Sequence, residues 1–122
     1  MPYNKSDSFE LKFYEKPDGE CQVRDYLRSG GKALSAKAGS ILRRLQEKGP
    51  RIRRPEADYL RDGIFELRIK VERNQHRILY FFNGGAIVLT NAFLKSSRQV
   101  PREEIDRATK FREDWLRREE RK

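Results

Sequence analysis

The longest regular pattern in the chain is "IFELRIKVERNQHRILYFF", Ile64 to Phe82, in which apolar and polar residues alternate almost strictly. Phe65, Leu67, Ile69 and Val71 share one parity, and Glu66, Arg68, Lys70 and Glu72 the other. A period of two over this length predicts strands with one face against a core. Two strands are expected, Ile64–Val71 and His76–Phe82, joined by a turn at Arg73-Asn74. That turn puts Val71 opposite His76, Ile69 opposite Ile78, Leu67 opposite Tyr80 and Phe65 opposite Phe82, so the apolar parities of both strands meet on one face. It also sets Lys70 opposite Arg77 and Arg68 opposite Leu79. Arg68, Lys70 and Arg77 then share the other face, half open over a floor of Leu79 and Phe81.

The pattern elsewhere is shorter but readable. Phe9, Leu11 and Phe13 alternate with Glu10, Lys12 and Tyr14, predicting a strand over Phe9–Glu15, and "KPDGE" follows as a turn. Val23, Tyr26 and Leu27 sit at helical spacing, and Gly30-Gly31 ends that helix. Leu34, Ala38, Ile41, Leu42 and Leu45 form one apolar stripe of a second helix, closed by Gly49-Pro50. "RIRRPEADYLRDG" reads as an irregular basic connection, because Pro55 interrupts it and Arg51, Arg53, Arg54 and Arg61 crowd it. "NGG" at Asn83–Gly85 is a hairpin signal leading into a last strand, Ala86–Leu94. Pro101 opens a final helix whose first turn carries Glu103 and Glu104 and whose stripe is Ile105, Ala108, Phe111 and Trp115. The expectation is an α+β fold in the order β-α-α-β-β-β-α. Its antiparallel sheet carries a helical hairpin on one face and a C-terminal helix, in a single domain over residues 1–122.

Composition sharpens the picture in one respect. Charged residues are 39% of the 122 positions, and 28 Lys and Arg against 19 acids leave a net charge of +9. A surplus of this size suits a polyanion or an acidic protein partner, without choosing between them. The single cysteine, Cys21, excludes an intrachain disulfide and fits a reducing compartment; it reads as inert rather than as a nucleophile. No run reaches the ~18 apolar residues of a membrane span. "MPYNKSDSFE" lacks a signal pattern, so a cytoplasmic protein without membrane attachment is the default expectation.

Candidate chemistry centres on the polar face of the strand pair. Like charges directly across a ladder cost a few tenths to about 1 kcal/mol, so Arg68, Lys70 and Arg77 together call for a reason. Two readings are open. Glu66 and Glu72 neutralise the patch and it is solvated surface, or arginine forks bind phosphate oxygens there. In the second reading the loop Arg51–Arg54 and the segment Lys95–Arg98 widen the site into a groove. His76 is the one histidine and lies on the Phe65 parity, away from the arginines, as a strand-end residue rather than a catalyst. Glu103, Glu104 and Asp106 read as helix N-terminal charges, no Cys/His cluster suggests a metal, and Gly84-Gly85 are turn residues rather than a nucleotide fingerprint.

Four runs in this order, Leu60–Arg68, Arg77–Phe82, Phe93–Ser96 and Pro101–Ala108, resemble the RelE/ParE toxin superfamily, in particular its phage-derived HigB-like branch. That branch shows Leu-x-x-Gly-Leu/Ile-Tyr/Phe-Glu-Leu-Arg, then Arg-Ile-x-Tyr-Phe-Phe, Phe-x-Lys-Lys and Pro-x-x-Glu-Ile-x-x-Ala; the second lysine of the third run is Ser96 here. The resemblance implies a RelE-like fold and the toxin of a type II toxin–antitoxin pair. Its partners are a helix-turn-helix antitoxin (HigA-like), the ribosome and mRNA, with DNA reached only through the antitoxin. It implies metal- and cofactor-free cleavage of mRNA on the ribosome. The family's basic residues map onto Arg68, Arg77 and Lys95, and Phe93 onto a position that helps hold a base. Arg68 and Arg77 are then expected on the scissile phosphate, Lys95 on the phosphate or the leaving oxygen, and Glu66 and Lys70 as candidate proton acceptors, Glu66 also as the neutraliser of Arg68. Arg51, Arg53, Arg54, Arg61, Phe93, Ser97 and Arg98 are expected to contact RNA. A same-fold toxin that inhibits DNA gyrase and a non-catalytic basic RNA- or protein-binding module are the alternatives.

Overall fold

The computed structural model describes residues 8–122. Segment 1–7, most of the stretch read for a targeting signal, lies outside the described residues. The elements are β1 (Glu10–Phe13), α1 (Gln22–Ser29), α2 (Lys32–Lys48), a 3-10 turn (Gly49–Arg51), β2 (Ala57–Arg61), β3 (Ile64–Val71), β4 (Asn74–Asn83), β5 (Ala86–Lys95) and α3 (Arg102–Glu120). They form the expected α+β architecture, with a five-stranded sheet in the order β1-β5-β4-β3-β2.

The number and the direction of the strands depart from the expectation. The "irregular" connection contains a strand: β2 pairs antiparallel with β3, with Ala57 opposite Leu67, Asp58 opposite Glu66 and Tyr59 opposite Phe65, before a bulge between Tyr59 and Arg61. Pro55 does not break it, because the strand starts two residues later. The sheet is also mixed rather than antiparallel throughout, since β1 runs parallel to β5, with Leu11 beside Ile87 and Phe13 beside Leu89.

The sheet separates two cores. On one side α1 and α2 bury Val23, Leu34, Ala38, Ile41, Leu42 and Leu45 against Leu67, Ile69, Ile78, Tyr80, Ile87 and Leu89. These are the stripe and parity read from the sequence. On the other side α3 lays Ile105 and Ala108 on Ile64, Leu79, Phe81 and Val88, with Phe111 and Trp115 at the margin. The Trp115 ring meets Phe81 edge-on at 5.8 Å. The floor expected to be half open is therefore roofed by α3.

The β3–β4 register differs by two residues from the expected one. Glu72 and Arg73 make the turn, with Glu72 at φ 56°, so Val71 faces Asn74, Ile69 faces His76, Leu67 faces Ile78 and Phe65 faces Tyr80. A shift of two preserves which residues face the core, so hydrophobic burial cannot distinguish the two registers. The Phe65 and Tyr80 rings stack at 5.5 Å in the observed one. The Asn83 to Ala86 hairpin closes around Gly84 at φ 58° as expected.

Candidate functional site

The register decides what the polar face presents. Arg68 lies directly opposite Arg77, Glu66 opposite Leu79 and Lys70 opposite Gln75. In the next pair Arg77 faces Phe93 and Gln75 faces Lys95. β3, β4 and β5 thus bring Glu66, Arg68, Lys70, Arg77 and Lys95 onto one face, at the end of the sheet beyond the apolar residues under α3.

One carboxylate organises the two arginines. Glu66, 3% exposed, accepts Arg77 Nε on Oε1 at 2.9 Å. Its Oε2 accepts Arg68 Nε at 3.1 Å and Nη2 at 3.0 Å. Removing this carboxylate from water is compensated only because both oxygens are taken by guanidinium groups. Arg77 is itself 5% exposed, contrary to the expectation that it stands on an open face. Its Nη1 donates to the His76 carbonyl at 3.0 Å and to Gln75 Oε1 at 3.5 Å. Burial pulls its pKa down from the ordinary guanidinium value, and Glu66 pulls the other way. The Arg68 side chain is more accessible, at 30%.

A second carboxylate extends the chain of charges to the sheet edge. Asp58 on β2 accepts Arg68 Nη2 at 3.4 Å and pairs with Arg54 Nη2 at 2.7 Å. The hydrogen bond from Arg54 is the main reason the Asp58 carboxyl is held below its ordinary range. The sequence offered no signal for Asp58, because its strand was hidden in a basic, proline-containing stretch. Lys70 is exposed and Lys95 half-buried, and among the described residues no carboxylate lies within ion-pair distance of either. The local sum of Arg54, Arg68, Arg77, Lys70 and Lys95 against Asp58 and Glu66 is positive, which suits a phosphate.

Other candidates are placed elsewhere. Arg61 is tied to Asp62 and, at 2.8 Å, to Asp106 of α3. Arg51 donates to the carbonyls of Glu47 and Lys48 at the end of α2. Phe93 is 8% exposed within the α3-side core, which leaves little of its ring for a base. Ser97 bonds the Gln99 carbonyl at 2.7 Å, and it and Arg98 are exposed beside Lys95. His76 is on the α1 side as expected, its Nδ1 2.6 Å from the Tyr26 hydroxyl. Behind the site, buried Asn91 donates to the carbonyl and the carboxylate of Glu104, at 3.2 and 2.9 Å, anchoring the start of α3. Among the described residues no group of three or more His, Cys, Asp or Glu is placed to hold a metal, and no helix is long and apolar enough to cross a membrane.

A sheet of this topology, flanked by a helical hairpin and a C-terminal helix, is consistent with the RelE-like fold. The family model of the "Phage derived protein Gp49-like (DUF891)" matches residues 25–113, from α1 well into α3, and the chain belongs to that family. It is a RelE/ParE-like toxin family, of the kind that acts with an antitoxin. No curated protein matches the chain.

Proposed function

We propose that residues 1–122 form one toxin domain of a HigB-like type II pair, a ribosome-dependent endoribonuclease that cuts mRNA without a metal ion or cofactor. Its partners are a helix-turn-helix, HigA-like antitoxin, the ribosome and mRNA in the cytoplasm, with DNA reached only through the antitoxin. The observation that carries this reading is the pair Arg68 and Arg77, held face to face by buried Glu66, with Lys70 and Lys95 beside them and unneutralised.

The chemistry is internal transesterification. The ribose 2′-oxygen forms a bond to the adjacent phosphorus as its proton leaves. The bond to the 5′-oxygen then breaks, and that oxygen takes up a proton, leaving a 2′,3′-cyclic phosphate and a 5′-hydroxyl. Charge accumulates on the phosphorane oxygens, where a preorganised cation does most good. Arg68, partly exposed and with Nη1 as its one nitrogen not bonded to Glu66 or Asp58, contacts the phosphate. Buried Arg77 supports the same charge from behind and fixes Glu66. Glu66 has both oxygens engaged, so it positions the arginines rather than accepting a proton. Of the two candidate proton acceptors this leaves Lys70, which can take the proton only through its neutral amine, and Lys95 neutralises the phosphate or protonates the leaving oxygen.

The test maps mRNA ends in a translating extract with wild-type protein, Arg68→Ala and Lys95→Ala. Wild type should cut within translated frames and leave cyclic-phosphate ends. Each variant should remain folded and cut about a hundredfold more slowly, the usual cost of one preorganised charge. A toxic protein that cuts no RNA and stalls replication would move the chain to gyrase inhibition.

A further inference from the structure

A cleft of about 450 Å³ opens at the β2 edge of the sheet, lined by Pro50, Ile52, Arg53, Arg54, Ala57, Asp58, Tyr59 and Phe65. Its floor is apolar, with Ile52 and Ala57 buried. Its most conspicuous wall is Tyr59, 53% exposed although it is a large aromatic residue. That ring is fixed at both ends: it meets Phe65 edge-on at 5.1 Å, and its hydroxyl accepts the Gly63 N–H at 2.9 Å. Two guanidinium groups stand at the rim. Arg54 is paired with Asp58, whereas Arg53 is exposed and forms no side-chain hydrogen bond or ion pair with a described residue.

We propose that this cleft holds one nucleotide of a single-stranded RNA, its base stacked on Tyr59 and its phosphate on Arg53, as a subsite that continues the path from the Arg68 site around the sheet edge. The inference rests on the nuclease reading above and adds a position on the opposite, helical-hairpin side of β2. A rigid exposed aromatic ring beside guanidinium groups, over an apolar floor in a cleft of about 450 Å³, is the chemistry by which proteins hold unpaired nucleotides. Asp58 links the two places, since the carboxylate at the cleft wall accepts both Arg54 and Arg68. A peptide adding as a strand is disfavoured at this edge. The Ala57 N–H is taken by the Arg53 carbonyl at 3.2 Å, the Tyr59 N–H by Asp58 Oδ1 at 3.0 Å, and a bulge follows Tyr59.

The test uses the full chain and a fluorescein-labelled, 2′-O-methylated oligoribonucleotide, which cannot be cleaved, read by anisotropy without ribosomes. Tyr59→Leu, which keeps apolar cover over Phe65, and Arg53→Ala should each weaken binding about tenfold, within the range of one lost base stack or phosphate contact. Arg53→Ala should also flatten the salt dependence by roughly one phosphate's worth. Thermal unfolding confirms that the variants are folded. Undiminished binding by folded variants would overturn the proposal. So would a cleft that takes only free nucleoside monophosphate, or only an acidic peptide, in competition. Because no cleavage is measured, failure of the nuclease reading leaves this outcome separately readable.

Discussion

Glu66 receives Arg77 on one oxygen and Arg68 on the other, and this separates two variants that the sequence pattern treats as equals. Arg77→Ala leaves a buried carboxylate short of one partner, and breaking a buried pair in this way costs roughly 3 kcal/mol or more. Arg68→Ala also strips a partner from Glu66, but Arg68 is partly exposed, so water can enter beside the freed oxygen and the cost should be smaller, about 1–2 kcal/mol. Thermal denaturation should show a large drop in Tm for the first and a small one for the second; equal drops would contradict the asymmetry in burial. Arg68 is therefore the cleaner probe of catalysis. His76 makes a second residue-scale prediction. Its pKa is lowered from 6.5, first by desolvation and then by Arg77, so the unfolded chain takes up the proton more readily than the folded one. The stability it contributes is present above the unfolded value and is lost as pH falls below about 6.5 toward the folded one. Tm should decline over that window in the wild type and decline less in His76→Gln, while cleavage stays near wild-type, since His76 faces α1 and not the arginines.

At the scale of elements, the ends of α2 and β1 meet at Gly49. Its φ of 54° and ψ of −126° lie outside the regions comfortable for other residues, and a Cβ there would run into the Phe9 ring. Gly49→Ala combines backbone strain with overpacking, each about 1–3 kcal/mol. Gly39, inside α2, has open space around its would-be Cβ and no positive φ, so Gly39→Ala should be stabilising by about 0.5–1 kcal/mol. Urea titrations should move the two midpoints in opposite directions at an unchanged slope. The elements themselves were legible where the apolar period ran long: α1, α2, β3, β5 and α3 lie within a few residues of their expected spans. β2 was not, because five residues flanked by arginines and a proline carry too short an alternation to outweigh local composition. Its existence depends on pairing with β3, a tertiary fact.

For the molecule as a whole, charge sets the reach of the site. A net +9 on 122 residues leaves much of the basic surface without acidic neighbours. Binding of single-stranded RNA should release counterions and weaken steeply with salt, falling by roughly a factor of ten or more between 50 and 200 mM for even a few phosphate contacts. Anisotropy titrations across that range provide the check, and a flat response would remove the phosphate-tracking groove. The same cations would attract an acidic protein segment as well, so charge alone does not separate RNA from protein. The fixed geometry around Arg68 and Tyr59 is the ground on which RNA is proposed.

The sequence by itself determined the face assignments. Alternation over Ile64–Phe82 placed Arg68, Lys70 and Arg77 on one side and His76 on the other, because moving any of them across the sheet would move the apolar parity out of the core. It also located α3 and its stripe, and the runs from Leu60 to Ala108 carried the family. Only the tertiary structure decided the register, since two hairpins differing by two residues bury the same side chains. That choice set Arg68, not Lys70, opposite Arg77, with Glu66 serving both arginines. Packing of α3 left Phe93 nearly buried, Arg77 is nearly buried in its bonds to Glu66, Gln75 and the His76 carbonyl, and the pairing of β2 brought Asp58 and Tyr59 to the edge of the site. These outcomes depend on contacts between segments far apart in the chain, which a period read within one segment does not contain.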